Sequence, residues 1–139
     1  MRVGTDLVWI PDVQQSLRQF GDRYLRRLFS SRELADCRGE EQRQQASLAA
    51  RIAAKEAVMK ILQPDRHTAL PWLTIEVIRT ANGSPALALH GAARALAKAS
   101  KIRQFSLSLS HEHDYATATV IATCQPTSHV NDDSSESPV

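Results

Sequence analysis

The sequence predicts an α+β domain in which an antiparallel sheet packs against one long buried helix. Three observations carry this. Five segments read as strands, and four of them pair as two hairpins across short polar links. The stretch from Ser47 to Leu62 has no Gly or Pro and is apolar nearly all round. The order β, several α, β-hairpin, α, β-hairpin then places the sheet against that helix.

The chain opens on a strand, MRVGTDLVWI, ended by Pro11. Helices are expected from Val13 to about Leu28 and from Ser31 to Gly39. The long helix follows. At about 100° per residue, Leu48, Ile52, Lys55, Met59 and Leu62 form one stripe, with Glu56 at its edge. LTIEVIRT and PALALH flank the turn-forming ANGS and make the first hairpin. A helix from Gly91 to Lys101 leads into RQFSLSLS, whose alternation puts Phe105, Leu107 and Leu109 on one face and Ser106, Ser108 and Ser110 on the other. YATATVIATC completes the second hairpin after the link HEHD.

At 139 residues and 42% hydrophobic, the chain is expected to form one domain over residues 1–125. Residues 126–139 contain Asp132, Asp133 and Glu136, no Lys or Arg, and almost no large apolar groups, a composition that predicts disorder. Without those three acids the body has 17 basic against 12 acidic residues, a net +5 concealed by the overall +2. A basic body fits an anionic ligand or an acidic partner. The few scattered aromatics form no stacking platform, which argues against nucleic acid. No run reaches membrane-span length, no signal peptide precedes the first strand, and Cys37 and Cys124 lack metal-ligand spacing, so a cytoplasmic protein with free thiols is expected.

Four positions invite chemistry. Asp6 lies among apolar residues of the first strand, and Glu56 and Lys55 sit in a helix that should be buried, where an uncompensated charge costs several kcal/mol. A solvated Glu56–Lys60 pair is the plain alternative for the helical carboxylate. His111 closes the serine-alternating strand, where a loop can present it. His111 and His113 lack the further ligands a zinc site needs. Two carboxylates on separate elements suit Mg²⁺, which completes its shell with water and phosphate. Lys55 and Lys60 would then neutralise phosphate charge.

GTDLV, FSSRE at 29–33, AARIAAKEAVMK, NGSPAL and SLSHEHDYATATVI together resemble the holo-acyl-carrier-protein synthases, the small single-domain 4′-phosphopantetheinyl transferases. The resemblance covers nearly everything before the tail. It implies Mg²⁺-dependent transfer of the 4′-phosphopantetheine arm of coenzyme A to a serine of an acyl carrier protein in fatty acid or polyketide biosynthesis, releasing adenosine 3′,5′-bisphosphate. Position by position, it implies Asp6 and Glu56 as metal ligands and Glu56, Lys60 and His111 as catalytic residues. Coenzyme A would meet Lys55, Lys60, Gly83, Pro85, Ser110 and His111. Either Glu56 or a water held by the ion would take the serine proton. The family also implies a homotrimer with a site at each subunit boundary; the strand faces of PALALH and FSLSL are the expected threefold core.

Two departures bear on partner choice. Where the family has V-E-I-x-R, this chain has V-W-I-P-D, with Trp9 for Glu and Asp12 for the carrier-docking Arg. Arg18, Arg23, Arg26 and Arg27 are the expected replacement for that basic face. The Gly-rich stretch after the long helix is replaced by QPDRHTALP, where Arg66 or His67 would compensate. A catalytically silent relative that binds carrier protein is the alternative these departures favour.

Overall fold

The computed structural model describes residues 1–67 and 69–126. The tail expectation therefore falls, from residue 127 on, outside the described residues. A three-stranded antiparallel sheet has the order β1 (Arg2–Trp9), β5 (Tyr115–Cys124), β4 (Ile102–Glu112). A separate hairpin pairs β2 (Ile75–Arg79) with β3 (Pro85–Leu89). The helix α4 (Glu41–Leu62) lies across the inner face of the larger sheet.

Small residues set the spacing between them. Ala49, Ala50, Ala53, Ala54 and Ala57 of α4 meet Ala116, Ala118, Val120 and Ala122 of β5, all buried. Gly4 is the closest approach: a Cβ there would stand 2.3 Å from the carbonyl oxygen of Ala57. Larger buried groups pack around them, Val58 and Ile61 of α4 with Ile75 and Val77 of β2. Each contributes roughly 1.5–3 kcal/mol by leaving water.

The helices before α4 differ from expectation in one respect. The single helix over 13–28 is two, α1 (Ile10–Phe20) and α2 (Asp22–Leu28). Gly21 separates them at φ +56°, a conformation glycine adopts without steric cost. Pro11 is in the first turn of α1, where its missing N–H costs nothing. Helix α3 (Ser31–Asp36) starts with a reciprocal cap: Ser30 Oγ accepts from Glu33 N–H at 3.1 Å, and Ser30 N–H donates to Glu33 Oε1 at 3.0 Å. Helix α5 (Gly91–Ala99) packs beside β4.

The strand HEHD link is shorter than expected. His111 and Glu112 belong to β4, pairing with Ala116 and Tyr115, so only His113 and Asp114 turn. The alternation of FSLSL holds: Phe105, Leu107 and Leu109 pack inward and the serines face out. The threefold-core expectation for these strands therefore needs correction. The outward apolar groups are Val3, Leu7 and Trp9 of β1 with Tyr115 and Ile121 of β5, which are 38–69% exposed.

Candidate active site

The period of two along β1 places Gly4, Asp6 and Val8 on its inner face, and the Gly4–Ala57 contact draws that strand onto α4. Asp6 consequently faces Glu56, the residue before Ala57. Their carboxyl groups lie within hydrogen-bonding reach of each other. Burial pushes Glu56 up to about 7, helped by the hydrogen bond and charge of Asp6 and opposed by Lys60. Burial also pushes Asp6 upward, but hydrogen bonds with Glu56 and Lys60 outweigh it and hold Asp6 below its ordinary value. Asp6 Oδ2 is buried with no partner.

Two carboxylates this close repel unless a proton or a cation stands between them. The orphaned Oδ2 and the proton-hungry Glu56 fit a divalent cation with few protein ligands and several waters. No group of three or more His, Cys, Asp or Glu side chains able to hold a metal occurs among the described residues, so a zinc-type cage is not the alternative.

Lys60 joins the pair from one turn along α4. Its Nζ donates to Thr5 O at 2.8 Å and to Asp6 Oδ1 at 3.0 Å, while the side chain remains 58% exposed. Lys60 thus pairs with Asp6 across elements, rather than with Glu56 along the helix. Lys60 keeps a donor free for an anion.

Lys55 does not reach the site, which corrects the expectation that it binds phosphate. Its ammonium is fully buried and gives its hydrogen bonds to Leu28 O at 2.6 Å, Glu33 Oε1 at 2.8 Å and Trp72 O at 3.3 Å. It also lies over the Phe29 ring, 5.3 Å from the centroid. Burial lowers its pKa and Glu33 counteracts this. Glu33 in turn accepts from Val77 N–H at 3.1 Å. This is a structural clamp joining α2, α3, β2 and α4.

The remaining predicted residues gather along β4, on the other edge of the sheet from β1. His111 lines a cleft of about 580 Å³ with Gln14, Glu40 and Arg43. Ala46 lines it too, and Ala46 is about 15 Å along the helix from Glu56. Gly83 and Pro85 line a second cleft of about 250 Å³ with Arg51 and Ser108. Ser110 is exposed on the outer face of β4 and lines neither of these clefts. The single chain therefore brings Asp6, Glu56 and Lys60 together and leaves His111, Gly83, Pro85 and Ser110 apart from them.

Sequence reasoning missed Arg43 and Arg51. Arg51 is 5% exposed and its Nε has no partner. The signal was present, because Arg51 is a charge in the same apolar helix that made Glu56 conspicuous. The four docking arginines also divide. Arg23 and Arg27 rim a groove of about 410 Å³ with Ser16, Phe20 and Tyr24, whereas Arg18 and Arg26 line neighbouring clefts. Burial raises the Tyr24 pKa; a hydrogen bond with Ser16 opposes this, and the charges of Glu56 and Asp12 add to it.

The profile of the 4′-phosphopantetheinyl transferase superfamily matches residues 2–120. A holo-[acyl-carrier-protein] synthase of Koribacter versatilis is 37% identical over 118 residues, covering 85% of this chain and 94% of its own. That of Herpetosiphon aurantiacus is 40% identical over 124 residues, with the same coverage of 85% and 94%. The chain belongs to the holo-[acyl-carrier-protein] synthase family. Solved synthases share its fold. The Chronobacterium ammoniagenes complex with CoA superposes at a TM-score of 0.77 with 31% identity, covering 89% of this chain and 97% of that one. The Helicobacter pylori synthase in complex with coenzyme A gives 0.75 with 26% identity, covering 88% and 100%. The α+β architecture of a sheet on a long helix is therefore the synthase fold. No helix among the described residues is long and apolar enough to cross a membrane.

Proposed function

We propose that this chain is a working holo-[acyl-carrier-protein] synthase: it transfers the 4′-phosphopantetheine arm of coenzyme A to a serine of an apo acyl carrier protein. The observation that carries this is the Asp6–Glu56–Lys60 cluster. Two carboxyl groups with opposed pKa shifts, one buried oxygen without a partner and one half-free ammonium lie together on rigid elements. Magnesium held by Asp6 and Glu56 would supply charge that stabilises the leaving bisphosphate. Lys60 neutralises a pyrophosphate oxygen from the solvent side. Glu56 is the group of this chain placed to take the proton of the carrier serine. The serine oxygen attacks the β-phosphorus in line; the bond to the bridging oxygen breaks and adenosine 3′,5′-bisphosphate departs with its electron pair.

The groove of Phe20, Arg23, Tyr24 and Arg27, whose Tyr24 senses the charge of Glu56, suits an acidic carrier. Coenzyme A would bridge two protomers. The carboxylates lie at the β1 edge, and Arg43, Arg51, His111, Gly83 and Pro85 lie at the β4 edge. A closed ring of identical chains sets one edge against the other. The outer face supports a homotrimer: Val3 faces Ile121 and Trp9 faces Tyr115, beside Thr5, Thr119, Ser106 and Ser108, a surface suited to burial that carries a charge only at its end, at Glu112. A silent carrier-binding relative is the weaker reading, because the departures at Asp12 and at 63–71 leave the cluster intact.

The test is incubation of the chain with coenzyme A, Mg²⁺ and a panel of apo carrier proteins, read by intact mass. A carrier gaining the mass of one phosphopantetheine arm is expected. No gain on any carrier, with coenzyme A bound, would favour the silent relative.

A further inference from the structure

We infer that the acidic segment 127–139 occupies the Phe20–Arg23–Arg27 groove of its own chain and competes there with the carrier protein. The inference rests on the groove being the carrier's docking site, as proposed above. Three observations support it: charge, reach and exit point.

The segment contains Asp132, Asp133 and Glu136 with no Lys or Arg, and Val130 stands two residues before the acidic pair. The groove offers the complement. Arg23 and Arg27 are exposed and one helical turn apart, and Phe20 at the end of α1 is 55% exposed. An apolar residue next to an acidic pair matches an exposed ring next to two guanidinium groups. It is the same chemistry by which an acidic carrier would be held.

The described chain leaves the sheet where Gln125 N–H donates to Lys101 O at 2.8 Å. Just before this, Ala122 pairs with Arg2, whose guanidinium donates to Ile61 O at 3.1 Å. The exit thus lies at the C-terminal end of α4. The groove is on the same half of the helix, since Leu28, at the end of α2 and next to Arg27, accepts from Lys55 Nζ of α4 at 2.6 Å. Ile61 and Lys55 are only about 9 Å apart along the axis. The residues after Pro126 span up to roughly 43 Å when extended, more than the full length of α4.

Individual exposed ion pairs are weak and salt-sensitive, so as a free peptide this segment would bind with a dissociation constant in the millimolar range. Tethering changes the outcome, because attachment through a short link supplies an effective concentration of about 1–10 mM. Competition then raises the apparent KM for carrier by a factor of one plus the ratio of these two quantities, about 2–10-fold. Neither kcat nor the KM for coenzyme A changes.

The test compares the full chain with a full chain carrying Asp132→Asn, Asp133→Asn and Glu136→Gln, by ¹⁵N-amide NMR at low salt without substrates. Amides of residues 16–27 are expected to differ between the two, and the difference is expected to vanish in 0.5 M NaCl. Arg23→Glu with Arg27→Glu in both chains should abolish it. Identical amides over 16–27 would overturn the proposal, as would differences that grow with protein concentration, which would assign the groove to a second copy. Because no turnover enters this measurement, its failure is separate from failure of the transferase reading. With apo acyl carrier protein as substrate, the neutralised tail is expected to lower KM 2–10-fold at constant kcat, and an unchanged KM would overturn the competition.

Discussion

Glu56 and Asp6 confront each other across the β1–α4 contact, and their opposed pKa shifts give opposite pH dependences. Glu56 is raised from 4.5 to about 7, so its folded form holds a proton more tightly than the unfolded chain does. That contribution to stability is complete below pH 4.5 and disappears as pH rises through about 7. Asp6 is lowered, so its contribution is present above its ordinary 3.8 and disappears as pH falls below that value. Metal-free protein should therefore melt at a lower temperature at pH 8 than at pH 5.5. Glu56→Gln should flatten that slope, and MgCl₂ should raise the melting temperature more at pH 8 than at pH 5.5. A slope unchanged by Glu56→Gln would remove the pair as its cause. The same substitution should abolish transfer in a folded protein, since the amide keeps the shape and loses the charge. The pair was legible in the sequence because a carboxylate in an all-apolar helix needs a reason. The misplacement of Lys55 has the same root. An odd buried charge is visible along the chain, but its partner Glu33, distant in sequence, is not.

Among the elements, α4 does two jobs on different faces. Toward β1 it requires Gly4. A Cβ 2.3 Å from the Ala57 carbonyl cannot be accommodated by rotating a side chain, because the obstacle is backbone. Gly4→Ala should push β1 from the helix, destabilise the protein by about 1–3 kcal/mol and separate Asp6 from Glu56. Loss of transfer beyond the loss of folded protein, read by activity and circular dichroism on the same sample, is the expected signature. Toward α2 and α3 the helix carries the Lys55–Glu33 clamp. Lys55→Met leaves Glu33 buried without a countercharge and should cost about 3–5 kcal/mol in urea denaturation. The double variant with Glu33→Gln should recover part of that loss, and no recovery would show that packing of the Lys55 stem dominates. Strand and helix identities followed from periodicity, including the FSLSL alternation. Periodicity did not show the break at Gly21, because the apolar spacing of α1 continues into α2. It also left His111 in a loop, where β4 in fact continues as far as Glu112.

For the molecule as a whole, the larger sheet has one face closed by α4 and one left open. Its open face is rich in Val, Leu, Trp, Tyr, Ile, Thr and Ser, and the candidate residues divide between its two edges, Asp6 on β1 and His111 on β4. Which strands would line a threefold core was not legible, because alternation gives two faces and does not say which one meets α4. The central claim is that a complete site forms only between the β1 edge of one protomer and the β4 edge of the next. The measurement that tests it mixes two inactive chains, refolded or co-expressed together. One carries Asp6→Ala. The other carries Arg43→Ala with His111→Ala, both exposed and so tolerated by the fold. In randomly mixed rings about a quarter of boundaries unite two intact edges. Recovery of about a quarter of wild-type carrier loading is expected, seen only in the mixed sample. Mixed rings confirmed by native mass spectrometry that load no carrier would contradict it, as would a monomer that turns over at the full rate.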